Sequence, residues 1–393
     1  MKFVVIGGDA AGMSAASRAK RHMADMDVTV LEQSEDVSYS ACGMPYNIAE
    51  AERDVEDLVV RKAQVFRDKQ GINLLTGHRA DAIDPAQKVV TGLTSSGEAF
   101  QFSYDKLLIA TGGSSILPDI PGIDLPGVMA LKNLDNARKI KTLLSGHPVK
   151  KAVIIGMGYI GLEMAEALRS RSIDVDMVKP GPLLLPWMPP EMSNIVRQEL
   201  EDHQVGVHAG QGIEKIESQA KKLKVVCSGL TLDTDMVLAA IGIQPNSQMA
   251  LASGLEVSVN HSIAVNRSMR TSDEHIYAAG DCADAYNIVN GKKVWVPLAL
   301  RANRAGWAVA DNICGKMVEL PGIVGTAVFK VFNLEVARTG LTEDEAIKSG
   351  CDPVGVVIHS RSRAHAHPGS STITTHMLAD RKSGRLLGTQ MVG

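Results

Sequence analysis

An α/β chain with two strand–turn–helix units and a C-terminal α+β layer is the fold class this sequence predicts, on three observations. An apolar N-terminal run breaks into a glycine-rich turn and then a small-residue helical pattern; the same succession returns at Lys151; and from Pro321 onward short β-branched runs replace it. At 393 residues the chain is too long for one core, and its 45% hydrophobic content is enough to bury two or three.

Lys2 to Ile6 reads as a strand, Gly7-Gly8-Asp9-Ala10-Ala11-Gly12 as a tight turn, and Met13 to His22 as a helix. A second strand, Val28 to Leu31, ends at Glu32, 20 residues after Gly12. That is the Rossmann spacing: glycines bring the backbone against a pyrophosphate, the helix N-terminus stabilises its charge, and the acid accepts from ribose hydroxyls. Asp9 stands where the middle glycine usually sits. Leu107 to Ile109 is a buried strand running into Ala110-Thr111-Gly112-Gly113, and the proline- and glycine-bearing stretch Pro118 to Val128 reads as a domain linker.

The second unit opens with the strand Lys151 to Ile155, has all three glycines in Gly156-Met157-Gly158-Tyr159-Ile160-Gly161, and continues as a helix from Leu162 to Ser170. Its next strand, Val175 to Val178, ends in Lys179. A lysine cannot accept from a 2'-hydroxyl but can meet a 2'-phosphate, and with Arg169 and Arg171 nearby the expected coenzyme is NADPH, with NADH possible. Met236 to Ile241 is the matching strand, and Gly242-Ile243-Gln244-Pro245-Asn246 marks the return to the first domain. His275 to Ala279 is a strand that exits in Gly280-Asp281, a helix runs within 292–316 through Arg301, Asn303 and Gly306, and Thr342 to Ser349 is a helical turn. The expected domains are 1–115 with 243–318, then 116–242, then 319–393.

The chain has 41 basic and 44 acidic residues, a net charge of -3 and no long run of either sign, so it offers no nucleic-acid or membrane-surface signature. The N-terminal apolar run is too short for a signal peptide, and no apolar stretch approaches the roughly 20 residues that cross a bilayer. A soluble, cytoplasmic protein is expected. Cys42, Cys227, Cys282, Cys314 and Cys351 are odd in number and scattered, against a disulfide framework or a zinc cluster. His365 and His367 alternate with no carboxylate or cysteine alongside, so no metal site is expected. Cys42 differs in its setting, Ser38-Tyr39-Ser40-Ala41-Cys42-Gly43-Met44-Pro45-Tyr46, just after the first unit. Two nucleotide sites and one candidate redox sulfur suggest electrons passing from a nicotinamide to a flavin and on to a thiol-level substrate.

With these motifs in this order, essentially the whole chain resembles the flavin-dependent pyridine nucleotide-disulfide oxidoreductases, and within them the single-cysteine branch of coenzyme A-disulfide reductases, persulfide and sulfur reductases, NADH oxidases and NADH peroxidases. The resemblance implies an FAD site made by Gly7, Gly8, Ala11, Gly12, Glu32, Ala110, Thr111, Gly112, Gly280 and Asp281. It implies an NAD(P)H site made by Gly156, Gly158, Tyr159, Ile160, Gly161, Lys179 and Gly242. Cys42 would face the flavin, its thiolate stabilised by Ser38 and a following helix N-terminus; Glu163 would help order the nicotinamide, and Tyr46 would wall the substrate tunnel. Ala10 stands where the oxidases and peroxidases carry a histidine, which turns the expectation toward coenzyme A disulfide, coenzyme A persulfide or polysulfide. In that subgroup Ser14, Arg18, Arg21, Ser38 and Asn303 match positions around bound coenzyme A, with Arg18 and Arg21 pairing with its phosphates.

This chain departs from the pattern at Ala41, a slot that is often asparagine, and at Ala366 and His367, where relatives carry tyrosines that reach across a dimer interface. A homodimer is implied. The chain ends at Gly393 in the middle of the family's dimerisation domain, which is therefore expected to be truncated. The alternatives are an NAD(P)H oxidase or peroxidase acting on oxygen or peroxide, and a noncatalytic, redox-sensing flavoprotein.

Overall fold

The computed structural model of the chain describes residues 1–146, 148–219 and 222–393. In chain order its helices are α1 (Ala10–His22), α2 (Met44–Ala49), α3 (Ala63–Gln70), α4 (Leu134–Gly146), α5 (Tyr159–Arg169), α6 (Pro190–Asp202), α7 (Gln248–Ala252), α8 (Ala299–Ile313) and α9 (Glu343–Lys348). The chain forms two compact units. The first comprises Met1–Ser40, Glu56–Ser114 and Ile243–Ile323; the second comprises Ala41–Val55, Ser115–Gly242 and Val324–Gly393.

A parallel sheet, in the order Ile276–Ala278, Lys106–Ile109, Lys2–Ile6, Asp27–Leu31, Asn73–Leu75, forms the centre of the first unit. Phe3 to Ile6 and Leu107 to Ile109 are buried, so these strands are covered on both faces and read as continuous apolar runs. From Lys2–Ile6 the chain runs outward to Asp27–Leu31 and Asn73–Leu75 and then returns to Lys106–Ile109 on the other side, which puts the switch point, where open α/β sheets bind ligands, at the carboxyl end of Lys2–Ile6. α1 starts three residues before the expected Met13, because the Asp9 carbonyl already accepts the first helical bond from Met13 N at 2.9 Å. α8 lies close along α1: a side chain at Gly306 would run into the Ala11 carbonyl. An antiparallel meander, His78–Asp84, Val89–Thr94 and Ala99–Ser103, completes this unit.

The second unit repeats the parallel sheet in the order Val205–Ala209, Asp174–Lys179, Lys151–Ile155, Met236–Ala239, Val128–Ala130. It adds the meander Ile213–Gln219, Lys222–Cys227 and Thr231–Thr234. A C-terminal antiparallel sheet follows, ordered Ala327–Val331, Leu334–Gly340, Leu386–Val392, Thr372–Asp380, Pro353–Arg361. Thr342 opens α9 with a capping box to Glu345, the start expected for that helical turn.

The short helix α2 groups with this second unit, packed on α5 and α4, whereas the sequence boundary placed residues 41–55 in the first domain. Polar bonds hold it there. Lys141 of α4 donates to the carbonyls of Asn47, Glu50 and Arg53, and Arg171 donates to the Ile48 carbonyl at 3.1 Å. Among the described residues no helix is long and apolar enough to cross a membrane.

Candidate active site

The first glycine turn lies at the switch point of the first sheet. Gly7 has φ +110°, and a side chain there would collide with the Ala110 carbonyl; one at Gly12 would collide with the Gly7 carbonyl. Only glycine lets the strand, the turn and α1 close up in this way. Neither Asp9 nor the corresponding Gly158 gives its helix a side-chain cap, so the first N–H groups of α1 and α5 keep the orientation that attracts an anion. Glu32 Oε2 accepts from Gly8 N at 2.8 Å, and its Oε1 accepts from the Ser34 amide and hydroxyl at 2.8 and 2.7 Å. Burial and the nearby carboxylates of Asp9, Glu32, Asp36 and Asp281 push the Tyr39 phenol well above its usual range.

Ala110, Thr111 and Gly112 continue from the strand Lys106–Ile109. The Thr111 hydroxyl donates to the Asn246 carbonyl at 2.6 Å, and Asn246 Nδ2 returns a bond to the Thr111 carbonyl at 2.8 Å. A Cβ at Gly112 would meet nothing within 4 Å, so backbone there is open to a ligand. Gly280 has φ +88°, and the guanidinium of Arg301 fastens its carbonyl at 3.1 Å. Arg301 also donates to the carbonyls of Ala283 and Asp284, and Trp295 Nε1 donates to the Asp281 carbonyl at 2.8 Å. Open backbone, uncapped helix N-termini and acceptors for hydroxyl groups fit a dinucleotide such as FAD.

Ser38 also belongs to the first unit. Its φ of 51° lies in the left-handed region, a strained choice for serine, and is held by Ser38 N donating to the Gly8 carbonyl and by Val60 N donating to the Ser38 carbonyl at 2.9 Å.

In the second unit the other glycine turn has the same form. Gly156 has φ +108°, and a side chain there would strike the Ala240 carbonyl. Tyr159 and Ile160 open α5, and Gly161 packs on the Gly156 carbonyl. Tyr159 stacks on Phe329 at 4.5 Å between centroids and meets Trp187 edge-on at 6.3 Å. Gly242 has φ +136°, and its carbonyl accepts from Ile116 N at 2.9 Å.

The cations around Lys179 are engaged within the second unit. Lys179 Nζ donates to the carbonyls of Leu183 and Leu184 at 2.7 and 3.3 Å, and burial pushes its ammonium down. Arg169 donates to the His203 and Ile173 carbonyls, Asp174 and Gln204, and Arg171 donates to Ile48. Of the three, Arg169 is the most fully engaged, with four bonds inside its own fold.

Cys42 lies in the turn Ala41–Gly43 that leads into α2, and it is exposed. Cys227 and Cys282 are buried and Cys314 is half-buried, and burial pushes all three thiols up. One turn beyond Cys42, Tyr46 Oη donates to Glu163 Oε1 at 3.1 Å, joining two residues that the sequence treated separately. Burial, the neighbouring Glu163 charge and the hydrogen bond to Glu163 push the Tyr46 phenol up to about 12. Burial likewise raises the Glu163 carboxyl; the Tyr46 hydrogen bond opposes that rise and the Glu166 charge adds to it. Glu166, which the sequence reading passed over, is held by Lys330 and accepts from Phe332 N at 2.8 Å.

The expected substrate residues sit on facing helix stripes. α1 presents Ser14, Arg18 and His22, and α8 presents Asn303, Trp307 and Asp311, each at four-residue spacing. Ser14 Oγ donates to Asn303 Oδ1 at 2.7 Å. Arg18 donates from Nε and Nη2 to the two Asp311 oxygens at 2.8 Å each, and lies over the Trp307 ring at 5.6 Å. His22 Nε2 approaches Asp311 Oδ1 at 2.7 Å. Arg18 holds the Asp311 carboxyl below the usual range. Arg21 is exposed in the last turn of α1. Sequence reading missed Asp311, although its spacing from Asn303 on one helix was a usable signal.

Residues 1–306 match the family model described as pyridine nucleotide-disulphide oxidoreductase, and residues 326–393 match the dimerisation domain of the same family. The chain is similar to an NAD(P)H sulfur oxidoreductase (CoA-dependent) of Pyrococcus furiosus, 37% identical over 393 residues, covering 100% of this chain and 88% of the relative. It is 32% identical to an NADH oxidase of Methanocaldococcus jannaschii, with 100% and 88% covered. Among solved structures it is similar to an NAD-dependent persulfide reductase from A. fulgidus, with a TM-score of 0.96 and 37% identity, covering 100% of this chain and 74% of that one.

Proposed function

Given that the chain belongs to the pyridine nucleotide-disulphide oxidoreductases, FAD-dependent enzymes of NAD(P)H, we propose that it reduces a coenzyme A-type disulfide or persulfide, or polysulfide, through Cys42. The observation that carries this reading is the exposed Cys42 in the turn leading into α2, one turn from the bonded pair Tyr46 and Glu163. Gly7, Gly8, Ala11, Gly12, Glu32, Ala110, Thr111, Gly112, Gly280 and Asp281 hold FAD. Gly156, Gly158, Tyr159, Ile160, Gly161, Lys179 and Gly242 hold NAD(P)H, with NADPH preferred. Bound FAD supplies the relay that takes a hydride from the nicotinamide and delivers two electrons to sulfur.

The chain's own residues do the rest. The Cys42 thiolate attacks the substrate S–S bond, forming a mixed disulfide and expelling one thiolate. Two electrons that originate in NAD(P)H then cleave the mixed disulfide, restoring the Cys42 thiolate and releasing the second thiolate. With the two released sulfurs protonated, one disulfide, one NAD(P)H and one proton give two thiols and NAD(P)+. Tyr46 is neutral at physiological pH, so it donates to Glu163 and keeps that carboxylate oriented on α5. Ser38, Ser14, Arg18, Arg21 and Asn303 bind the substrate, and the dimerisation domain pairs two copies. Oxygen reduction is the second reading, favoured by the similarity to an NADH oxidase; the first glycine turn, however, carries Ala10 and no imidazole to assist chemistry on oxygen.

Anaerobic NADPH and NADH oxidation with coenzyme A disulfide or persulfide tests the proposal on the FAD-loaded protein. Turnover that Cys42→Ser abolishes supports it. Rapid oxygen consumption without any sulfur substrate, unchanged in Cys42→Ser, supports the oxidase instead.

A further inference from the structure

We propose that Asp311 is a positioning residue for substrate: it fixes Arg18 so that the free edge of the guanidinium meets a phosphate group on the disulfide or persulfide. The inference rests on reading the Arg18 surface as the site of a coenzyme A-type substrate. Asp311 takes Nε–H and one Nη2–H, and among the described residues no hydrogen bond claims Nη1. The Arg18 side chain is 30% exposed and that of Asp311 only 9%, so the carboxylate grips from inside and the other edge faces outward. The guanidinium also lies over the Trp307 indole, at 5.6 Å from its centroid. An arginine held on one edge and one face has already lost the rotamer freedom that binding would otherwise take from it. Its open edge keeps the fork geometry that suits a phosphate.

The charge count makes the role testable by sign. Arg18, His22 and, at 3.9 Å, Lys316 all converge on Asp311. If the surface attracted phosphate by net charge alone, removing the carboxylate would make it more positive and tighten binding. If Asp311 acts by holding Arg18, removing it weakens binding.

The experiment compares coenzyme A disulfide with pantethine, which keeps the disulfide arm and lacks every phosphate, on FAD-loaded holoenzyme. Asp311→Asn is expected to raise KM for coenzyme A disulfide about tenfold, with kcat within about twofold and the pantethine parameters unchanged. Arg18→Met should raise the same KM, and the double variant should be no worse than Arg18→Met, since Asp311 acts only through Arg18. Arg18→Lys keeps the charge, loses the fork and leaves Asp311 in place, so a raised KM there supports the proposal even if Asp311→Asn folds poorly. An unchanged or lowered coenzyme A disulfide KM in Asp311→Asn overturns it, as do independent, multiplying effects in the double variant. Equal KM values for coenzyme A disulfide and pantethine in the wild type overturn the reading of the surface itself, and the proposal with it.

Discussion

Replacing Tyr46 with phenylalanine removes one hydroxyl from α2 and with it the 3.1 Å bond to Glu163. A hydrogen bond to an ionised group is worth roughly 1.5–3 kcal/mol when buried. Tyr46 is 43% exposed, so water competes for the same carboxylate and the expected loss falls to about 1 kcal/mol. The sign with pH follows from Glu163. Burial raises its folded pKa above the ordinary 4.5, and the Tyr46 bond opposes the rise, so deleting the phenol makes the ionised carboxyl still less favourable in the folded chain. Well below pH 4.5 the carboxyl is protonated in folded and unfolded chains alike, and only the smaller neutral bond is lost; the full deficit develops as pH rises through the folded pKa. Urea unfolding of Tyr46→Phe across roughly pH 4 to 8 reads this directly. In a Glu163→Gln background the residue no longer titrates, and the pH dependence should vanish. A deficit that stays flat with pH, or that keeps its slope once Glu163→Gln has removed the titrating group, refutes the claim that the phenol serves Glu163.

Three further outcomes follow from side chains whose partners are clear. Lys179→Met should cost NADPH roughly tenfold in kcat/KM and leave NADH nearly unchanged, whereas Arg169→Met should leave the NADPH to NADH ratio alone and lower the thermal midpoint, since its donors serve the fold. Arg301→Met should destabilise the first unit by about 3 kcal/mol or more and weaken FAD retention, measured by thermal unfolding and flavin content, because it strips donors from the carbonyls of Gly280, Ala283 and Asp284.

What could be read before the structure was whatever repeats locally. The inner parallel strands announced themselves because burial on both faces demands unbroken apolar runs such as Phe3 to Ile6 and Ala152 to Ile155, and these two end in glycine where the backbone turns; the edge strands Asn73–Leu75, Val128–Ala130 and Val205–Ala209, short or partly exposed, were not read. The meander His78–Asp84, Val89–Thr94, Ala99–Ser103 was invisible for the converse reason: its strands are half solvated and mix charged with apolar residues. α2 was illegible as to partner. Met44, Pro45 and Ile48 say that one face is buried, but a six-residue helix does not say against what, and the answer came from lysine and arginine bonds to its carbonyls. The pairing of Tyr46 with Glu163 spans 117 residues and that of Arg18 with Asp311 spans 293, separations across which only the closed fold brings side chains together.

The two glycine turns share one backbone solution and differ in the residue that ends the strand after each. Gly7 N donates to the Leu31 carbonyl and Gly156 N to the Val178 carbonyl, both at 2.8 Å, and the φ angles of the two glycines, +110° and +108°, are nearly equal. Backbone alone therefore offers both sites the same grip on a pyrophosphate. Discrimination falls to the residue at the end of the second strand. Glu32 turns back onto its own turn and presents acceptors, which suit ribose hydroxyls. Lys179 turns forward to the Leu183 and Leu184 carbonyls and presents a donor, which suits a 2'-phosphate. Two of its three N–H groups are already claimed and burial disfavours its charge, so under the proposed NADPH preference a 2'-phosphate would meet a partly spent ammonium with no help from Arg169. A coenzyme preference resting on that single donor is a modest one, of roughly tenfold and about 1.4 kcal/mol, rather than the larger margin that a bidentate arginine fork supplies.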